Sequence, residues 1–398
     1  MKILSKYPTL ATISLHIGIY IVGIILLFAS QSLLNDYHLR ILNNILIFVI
    51  LAVSYNLING VTGQLSLEPN GFVAIGAYIS AIMLLDFEAK TAMYQLSDPH
   101  PFVLAIHTPL LVALLCSGIV AALIAIILSF PVFRVRGDYL AIVTLGFGFI
   151  IKILAINQPE WTNGAIGLNE IPSTENVMLS LKEAFSFLLN AQILPEFLKT
   201  PLNFIYQKSF ESGDITILFW SGIFAIIAVI LILQIVYSKY GRAMKAIRDD
   251  EDAAIAMGIN TFQIKIFAFS VSAFLEGIGG GLLAIWLTTI SPNLFGFELT
   301  FQLLIIIVLG GLGSTSGAIL GTILVIGGGE FLRFLDQPLI FGDKDFGSYP
   351  GLRMVFFSVI LLLIMLFARE GIMGKKEIWE FKIPKKITQF LFKKADNA

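Results

Sequence analysis

The sequence predicts an all-α polytopic membrane protein with about ten transmembrane segments, some short or broken, and both termini cytoplasmic. Three observations predict it. Of 398 residues, 57% are hydrophobic and only 13% are charged, whereas soluble globular chains carry roughly a quarter charged residues. Mean hydropathy is +0.87, more apolar surface than one water-soluble core absorbs, since such cores stop growing near roughly 250–300 residues. The apolar residues fall into runs near the ~20 residues that cross a bilayer, with no strand-like alternation and no low-complexity tract.

The runs, in order, are 11–29, 41–58, 71–85, 109–131, 139–156, 216–237, 264–287, 299–311, 317–332 and 351–368. The first follows Lys2 and Lys6 and lacks a small-residue cleavage site after Phe28, so it reads as a membrane helix rather than a signal peptide. The third, eighth and ninth are short or glycine-interrupted, in the manner of half-helices or re-entrant segments. The fourth carries Cys116, the single cysteine, which excludes an intrachain disulfide and reads as a small buried hydrophobe. The seventh carries Gly277, Gly279, Gly280 and Gly281, and the ninth Gly317, Gly321, Gly327, Gly328 and Gly329. These are faces for close helix packing, with a moving joint as the other reading.

Orientation follows from lysine and arginine in the loops. Arg134 and Arg136 follow the fourth run, Lys239, Arg242, Lys245 and Arg248 the sixth, and Lys375, Lys376, Lys385, Lys386, Lys393 and Lys394 fill the tail. Ten crossings place all of these in the cytoplasm with Lys2 and Lys6. Nine would put the tail outside, which is why the region 310–316 is read as a boundary between two segments. The predicted organisation is a transmembrane domain over 1–374 and a basic cytoplasmic tail over 375–398. The domain exports the loops 86–107, 157–215 and 336–350 and keeps 239–263 in the cytoplasm. Within 157–215, residues 180–189 have an amphipathic pattern suited to the outer surface. The tail interleaves Trp379, Phe381, Phe390 and Phe392 with its lysines, so it either lies on the anionic inner leaflet, in contact with lipid, or is a loose topology anchor.

Several chemistries are excluded or poorly supported. A net charge of −1 gives no field for nucleic acid. No G-x-x-x-x-G-K-[ST] occurs, so any ATP used would be hydrolysed by another chain. His16, His38, His100 and His107 are scattered, and no H-E-x-x-H or G-x-S-x-G is present, so neither a catalytic site nor a metal or other cofactor is expected.

The most informative stretch is 240–263. Its basic first half gives way to Asp249-Asp250-Glu251-Asp252, acids that favour a helix N-terminus there. Ala253, Ala254 and Ala256 leave that helix thin enough for a partner's cleft, and Gly258 with Asn260 turns the chain back. A solvated connector is the alternative. Within the bilayer, Gly60–Gly71 places Thr62, Gln64, Ser66 and Asn70 between two apolar runs, either lining a polar pathway or forming an interhelical turn. Glu276 is the ionisable group well inside a run. It is protonated, hydrogen-bonded to a neighbouring helix, facing a partner subunit, or in contact with a substrate ammonium group. Glu330 and Arg333 are spaced for an i, i+3 ion pair. Asp138 is a helix cap or a partner of Arg136, or, with Arg134 and Arg136, a further contact for an ATPase.

Asp252-Ala253-Ala254 with Gly258 resembles the E-A-A-x-x-x-G coupling loop of ABC-importer permeases. The wording G-R-A-M-K-A-I-R-D-D-E-D-A-A-I-A-M-G-I-N resembles the branched-chain amino acid permeases of the M type. Gly63-Gln64-Leu65-Ser66-Leu67, Gly71-Phe72, Ile75-Gly76-Ala77-Tyr78, residues 136–146, Gly310-Gly311-Leu312-Gly313-Ser314, Glu330, Arg333 and Arg369-Glu370-Gly371 extend the likeness through most of the chain. The resemblance implies a permease subunit of an ATP-driven importer in a bacterial inner membrane. Its partners would be a homologous permease, two cytoplasmic ATP-binding subunits and an external substrate-binding protein. It implies coupling residues Gly241, Arg242, Arg248, Asp252, Ala253, Ala254 and Gly258, and a pathway near Gly63, Gln64, Ser66, Asn70, Gly76 and Glu276. Branched-chain amino acids are the implied cargo, with urea or short amides as the alternative. A self-sufficient ion-coupled transporter is the rival of another class, and it should display charged groups at mid-membrane. Glu68-Pro69-Asn70 and Glu276 depart from the family pattern, and 173–215 is longer than the pattern.

Overall fold

The apolar runs become helices because a backbone in hydrocarbon must satisfy its own N–H and C=O groups. A computed structural model describes residues 35–94, 97–135, 137–172, 215–333, 340–341, 344–345, 351–368, 370–374 and 376–378. The predicted segment 11–29, the amphipathic piece 180–189 and the tail from 379 onward lie outside the described residues. The main helices are α1 Asp36–Asn56, α2 Pro69–Leu84, α3 Leu110–Val132, α4 Asp138–Asn157, α5 Ile215–Tyr237, α6 Lys239–Asp249, α7 Glu251–Ala256, α8 Thr261–Leu287, α9 Phe297–Gly310, α10 Thr315–Thr322 and α11 Leu352–Phe367. A π-helical turn, Leu57–Val61, extends α1, and another, Ile323–Gly327, carries α10 into a short helix Gly328–Phe331.

Five of these helices are long and apolar enough to cross a membrane. The number is up to seven if two bent pairs, each including shorter helices, count as one span apiece. One pair is α9 with 315–331, bent by 119° at the predicted boundary near Gly310–Ser316. The other is α2 with the short helix Phe87–Met93, bent by 118°. That second bend belongs to the expected outer loop, where Lys90 is buried and its ammonium group donates to the carbonyls of Val103, at 2.8 Å, and Ile106. In the expected loop 336–350, Ile340–Phe341 and Lys344–Asp345 form a small antiparallel strand pair.

α8 is the central post. Gly279 meets Leu51 of α1, Gly280 meets the Val73 backbone of α2, and Gly277 meets Ser117, Gly118 and Ala121 of α3. A Cβ at Gly280 would collide with the Val73 carbonyl, so α2 and α8 touch backbone to backbone, the close approach that small residues permit in membranes. α10 uses the same device at Gly317 and Gly321, which press on Gly310 and Ile306 of α9. Gly327, Gly328 and Gly329 do not: a Cβ there would meet ordinary contacts or open space. The π turn displaces that face from the seam.

α3 and α4 lie at the periphery, with 39% and 33% of their apolar windows buried against 72% for α1 and α8. Leu111, Leu115, Ile119, Leu123, Ile127 and Phe130 of α3 face outward, as lipid allows. Cys116 on that helix is half-buried rather than buried as expected.

Candidate coupling and pathway site

Four pieces of chain meet at one end of the bundle: the α6–α7 hairpin, the π turn closing α1, the 311–314 break and the segment 370–378. Ser238 caps α6 by accepting from the Tyr240 amide at 3.1 Å. α6 is amphipathic and buries Gly241, Met244 and Ile247. Gly241 lies against the Ile235 and Val236 carbonyls at the end of α5, which folds α6 back on that helix. Asp250 then caps α7, its carboxylate accepting from the Ala253 amide at 2.9 Å, as the acid cluster predicted. Ala254 is buried, whereas Asp252, Ala253, Ile255, Ala256, Met257 and Gly258 are exposed. Gly258 holds φ at +81° with open space around it, a left-handed turn suited to glycine. Asn260 completes the turn and caps α8, its side-chain oxygen accepting from the Gln263 amide at 3.1 Å. Lys265 ties α8 back to Glu251 at 2.7 Å, with the lysine nearly enclosed. The knuckle thus exposes a small apolar tip flanked by acids and is braced from behind.

Arg248, at the end of α6, links this hairpin to the helix breaks. Its guanidinium donates to the Gly60 carbonyl at 3.3 Å, within the π turn. Its stem fills the space that a Cβ on Gly63 would need. Gly63 has φ +71° as well, so two constraints favour glycine there. Asn56 joins the second break: its side-chain oxygen accepts from the Gly313 amide at 2.9 Å, and its amide donates to the Ser314 carbonyl at 3.1 Å. Glu377 completes the cluster. Only 4% exposed, it accepts from the amides of Thr315 at 2.7 Å and Ser316 at 2.8 Å, and from the Ser316 hydroxyl at 2.5 Å. Ile372 and Met373 donate to the last carbonyls of α9, on Leu309 and Gly310. Residues 370–378 thus serve both helix ends at the 311–314 break, and Ser314 adds a local cap by accepting from the Gly317 amide at 3.0 Å.

From Gly63 the chain runs without helix to α2. Its backbone is held by side chains: the Tyr55 hydroxyl donates to the Ser66 carbonyl at 2.7 Å, and Asn59 brackets Ser66 from both sides. The Leu67 amide donates to the Thr144 hydroxyl of α4 at 2.8 Å, and the Asn70 amide to the Thr300 hydroxyl of α9 at 3.2 Å. The Asn70 side chain donates to the Phe295 carbonyl at 3.3 Å and accepts from Thr300 at 3.1 Å. Irregular backbone at membrane depth survives only when protein satisfies it in this way.

The sequence-predicted residues therefore fall into three places. Arg248 and Gly63 touch, while Gly241, Arg242, Asp252, Ala253, Ala254 and Gly258 sit on the α6–α7 hairpin. Gly63, Gln64, Ser66 and Asn70 share the α1–α2 break. Gly76 stands apart, pressed on Gly277 where α2 crosses α8. Glu276 is fully buried near the middle of α8. Its hydrogen bond comes from Ser272 on its own helix at 3.0 Å rather than from a neighbouring helix. The Ser272 hydroxyl also lies 2.7 Å from the Ser54 carbonyl of α1. Glu330 and Arg333 form the expected ion pair at 3.6 Å, with the Tyr37 hydroxyl 3.1 Å from Glu330. Gly137 takes the cap position before α4 and Asp138 is its first residue. The side chains of Arg136 and Asp138 lie outside the described residues.

Three contributors were not anticipated. Asn56 gave no signal beyond being an amide at the end of an apolar run. Glu377 looked like part of a basic tail. Glu68 stood out only as part of a tripeptide that departs from the family pattern, with no role assigned to it, and it proves fully buried.

The family model described as branched-chain amino acid transport system permease component matches residues 37–368. The chain is 31% identical over 329 residues to the high-affinity branched-chain amino acid transport system permease protein LivM of Escherichia coli, covering 82% of this chain and 68% of that one. It is 27% identical over 341 residues to the corresponding permease protein BraD of Pseudomonas aeruginosa, covering 83% and 92%. Over 148 residues it is also 32% identical to the permease protein LivH of Escherichia coli, covering 37% and 44%. No solved structure matches the chain.

Proposed function

Because the chain belongs to the permease components of branched-chain amino acid transport systems, a family of membrane transport subunits rather than enzymes, we propose that it moves branched-chain amino acids inward as one half of an ATP-driven importer in the inner membrane. The other half is a homologous permease, in keeping with the partial likeness to LivH as well as LivM. Two cytoplasmic ATP-binding subunits drive it, and an external binding protein delivers substrate. The chain crosses the membrane ten times with both termini inside, which gathers its arginine and lysine clusters in the cytoplasm. The loops 86–107, 157–215 and 336–350 then face outward.

The observation that carries this reading is Arg248. It belongs to the hairpin that presents an exposed tip to the cytoplasm, yet its guanidinium holds the π turn of α1 and its stem packs on Gly63. A push on the tip at Ala253–Gly258 is relayed through α6 to the α1–α2 break and, through Asn56, to the α9–α10 break. Lys265 and Glu251 keep the hairpin from swinging freely against α8. Such a lever carries work from a separate ATPase into the helices that flank the pathway.

The test is reconstitution of the four-part complex in proteoliposomes with its binding protein. Leucine uptake should require ATP and all four components, and a cysteine introduced at Met257 should cross-link to an ATPase subunit. Uptake by this chain alone, driven by an ion gradient and indifferent to ATP, would replace the importer with the ion-coupled alternative. Uptake of urea in place of leucine would keep the importer and change its cargo.

A further inference from the structure

Glu68 precedes α2 and Glu276 sits near the middle of α8, and both are 0% exposed. Both border the same turn of α1: Ser272, one turn before Glu276, reaches the Ser54 carbonyl at 2.7 Å, and the next residue, Tyr55, reaches the Ser66 carbonyl, two residues before Glu68, at 2.7 Å. Of the four carboxyl oxygens, one accepts from Ser272. The other three, both of Glu68 and Oε2 of Glu276, are enclosed without a hydrogen-bond partner. The Ser66 hydroxyl, two residues before Glu68, is likewise enclosed and unpartnered. The protons of the neighbouring hydroxyls are already used: Thr144 donates to the Leu140 carbonyl, Thr300 to the Asn70 side-chain oxygen, and Tyr55 to the Ser66 carbonyl.

Two bare carboxylates cannot coexist in such a place. The desolvation penalty on each unpaired buried ion is compounded by their mutual repulsion, and two acids sharing a site accept one positive charge between them. The occupant must donate hydrogen bonds, because three acceptors are waiting. It must also be reachable from the pathway, since Ser66 and Asn70 belong to the same helix break. We propose that Glu68 and Glu276 form an internal site for one hydrogen-bond-donating positive charge, either a proton or the ammonium group of a transported amino acid. The second source rests on the importer reading above; the first does not.

The probe is dicyclohexylcarbodiimide, which modifies protonated carboxyl groups in apolar surroundings, applied to the whole reconstituted complex and read by peptide mass spectrometry. Modification at Glu68 or Glu276 is expected, falling roughly tenfold per pH unit once the pair loses its proton. Protection by leucine at fixed pH identifies the ammonium group as an occupant, and dependence on pH alone identifies the proton. Absence of modification at both residues across roughly pH 5 to 9, with reagent active on a control carboxyl, overturns the proposal. So does a folded E68Q/E276Q double variant whose leucine uptake keeps the wild-type pH profile. If that variant fails to fold, the labelling of the wild-type complex still decides. A complex that imports no amino acid but shows pH-dependent labelling overturns the importer reading and leaves the proton site standing.

Discussion

Glu377 and Glu68 are both buried glutamates beside helix starts in an apolar protein, and they are treated in opposite ways. Glu377 accepts from two backbone amides and a hydroxyl at the start of α10, so its charge is matched by the positive end of a helix. Glu68 stands at the start of α2 with both oxygens enclosed and unpartnered. One acid is spent on holding a broken helix together. The other leaves a demand for positive charge unmet by the chain. Burial alone therefore says little about an acid's role. What separates a fastener from a binding group is whether the chain supplies its donors.

The largest expected effect falls on the fastener. E377A strips the donors at Thr315 and Ser316 of their acceptor and should destabilise the protein by about 3 kcal/mol, read as a lower melting temperature in detergent. R248A comes next. It should cost about 1.5 kcal/mol by freeing the Gly60 carbonyl, and it should lower leucine uptake far more than ATP hydrolysis in the complex. Equal losses of both would show that Arg248 holds the fold but transmits nothing. D250A removes the cap of α7 and should cost about 1 kcal/mol, visible as faster hydrogen exchange at Ala253. E68Q should be the mildest for stability, within about 1 kcal/mol of wild type or more stable, because it removes a charge that no donor holds. A loss comparable to that of E377A would mean that Glu68 is also a fastener, and the contrast would fail.

Much of this was legible in the sequence because it rests on local chemistry. The acid run at 249–252 marked a helix start, and Asp250 proved to be the cap. Polar residues between apolar runs marked the α1–α2 break, and glycines marked the seams of α8 with α1, α2 and α3. What escaped depends on distant chain. Glu377 lies 62 residues beyond the amide it accepts from, and no spacing rule connects them. Arg248 reaches Gly60 across 188 residues. Lys90, a lysine in a polar loop, reads as solvated until two carbonyls are seen to enclose it. Cys116 was misplaced because an apolar helix gives no sign of which side faces lipid. Gly327–Gly329 promised a packing face that the π turn rotated away. The two positions that broke the family pattern lie 208 residues apart, Glu68 before α2 and Glu276 within α8, and that both are fully buried with unpartnered oxygens was invisible until the helices were assembled.

The clasp of 370–378 over the α9–α10 break has a consequence for biogenesis. A ribosome releases Thr315 long before it reaches Glu377, so the bent pair must enter the bilayer with the Thr315 and Ser316 amides unclaimed and wait through the insertion of α11. Its final geometry is set only when the following helix has been threaded and the chain doubles back. Truncation just short of Glu377 would leave every apolar segment in place, yet the last joint would never be sealed.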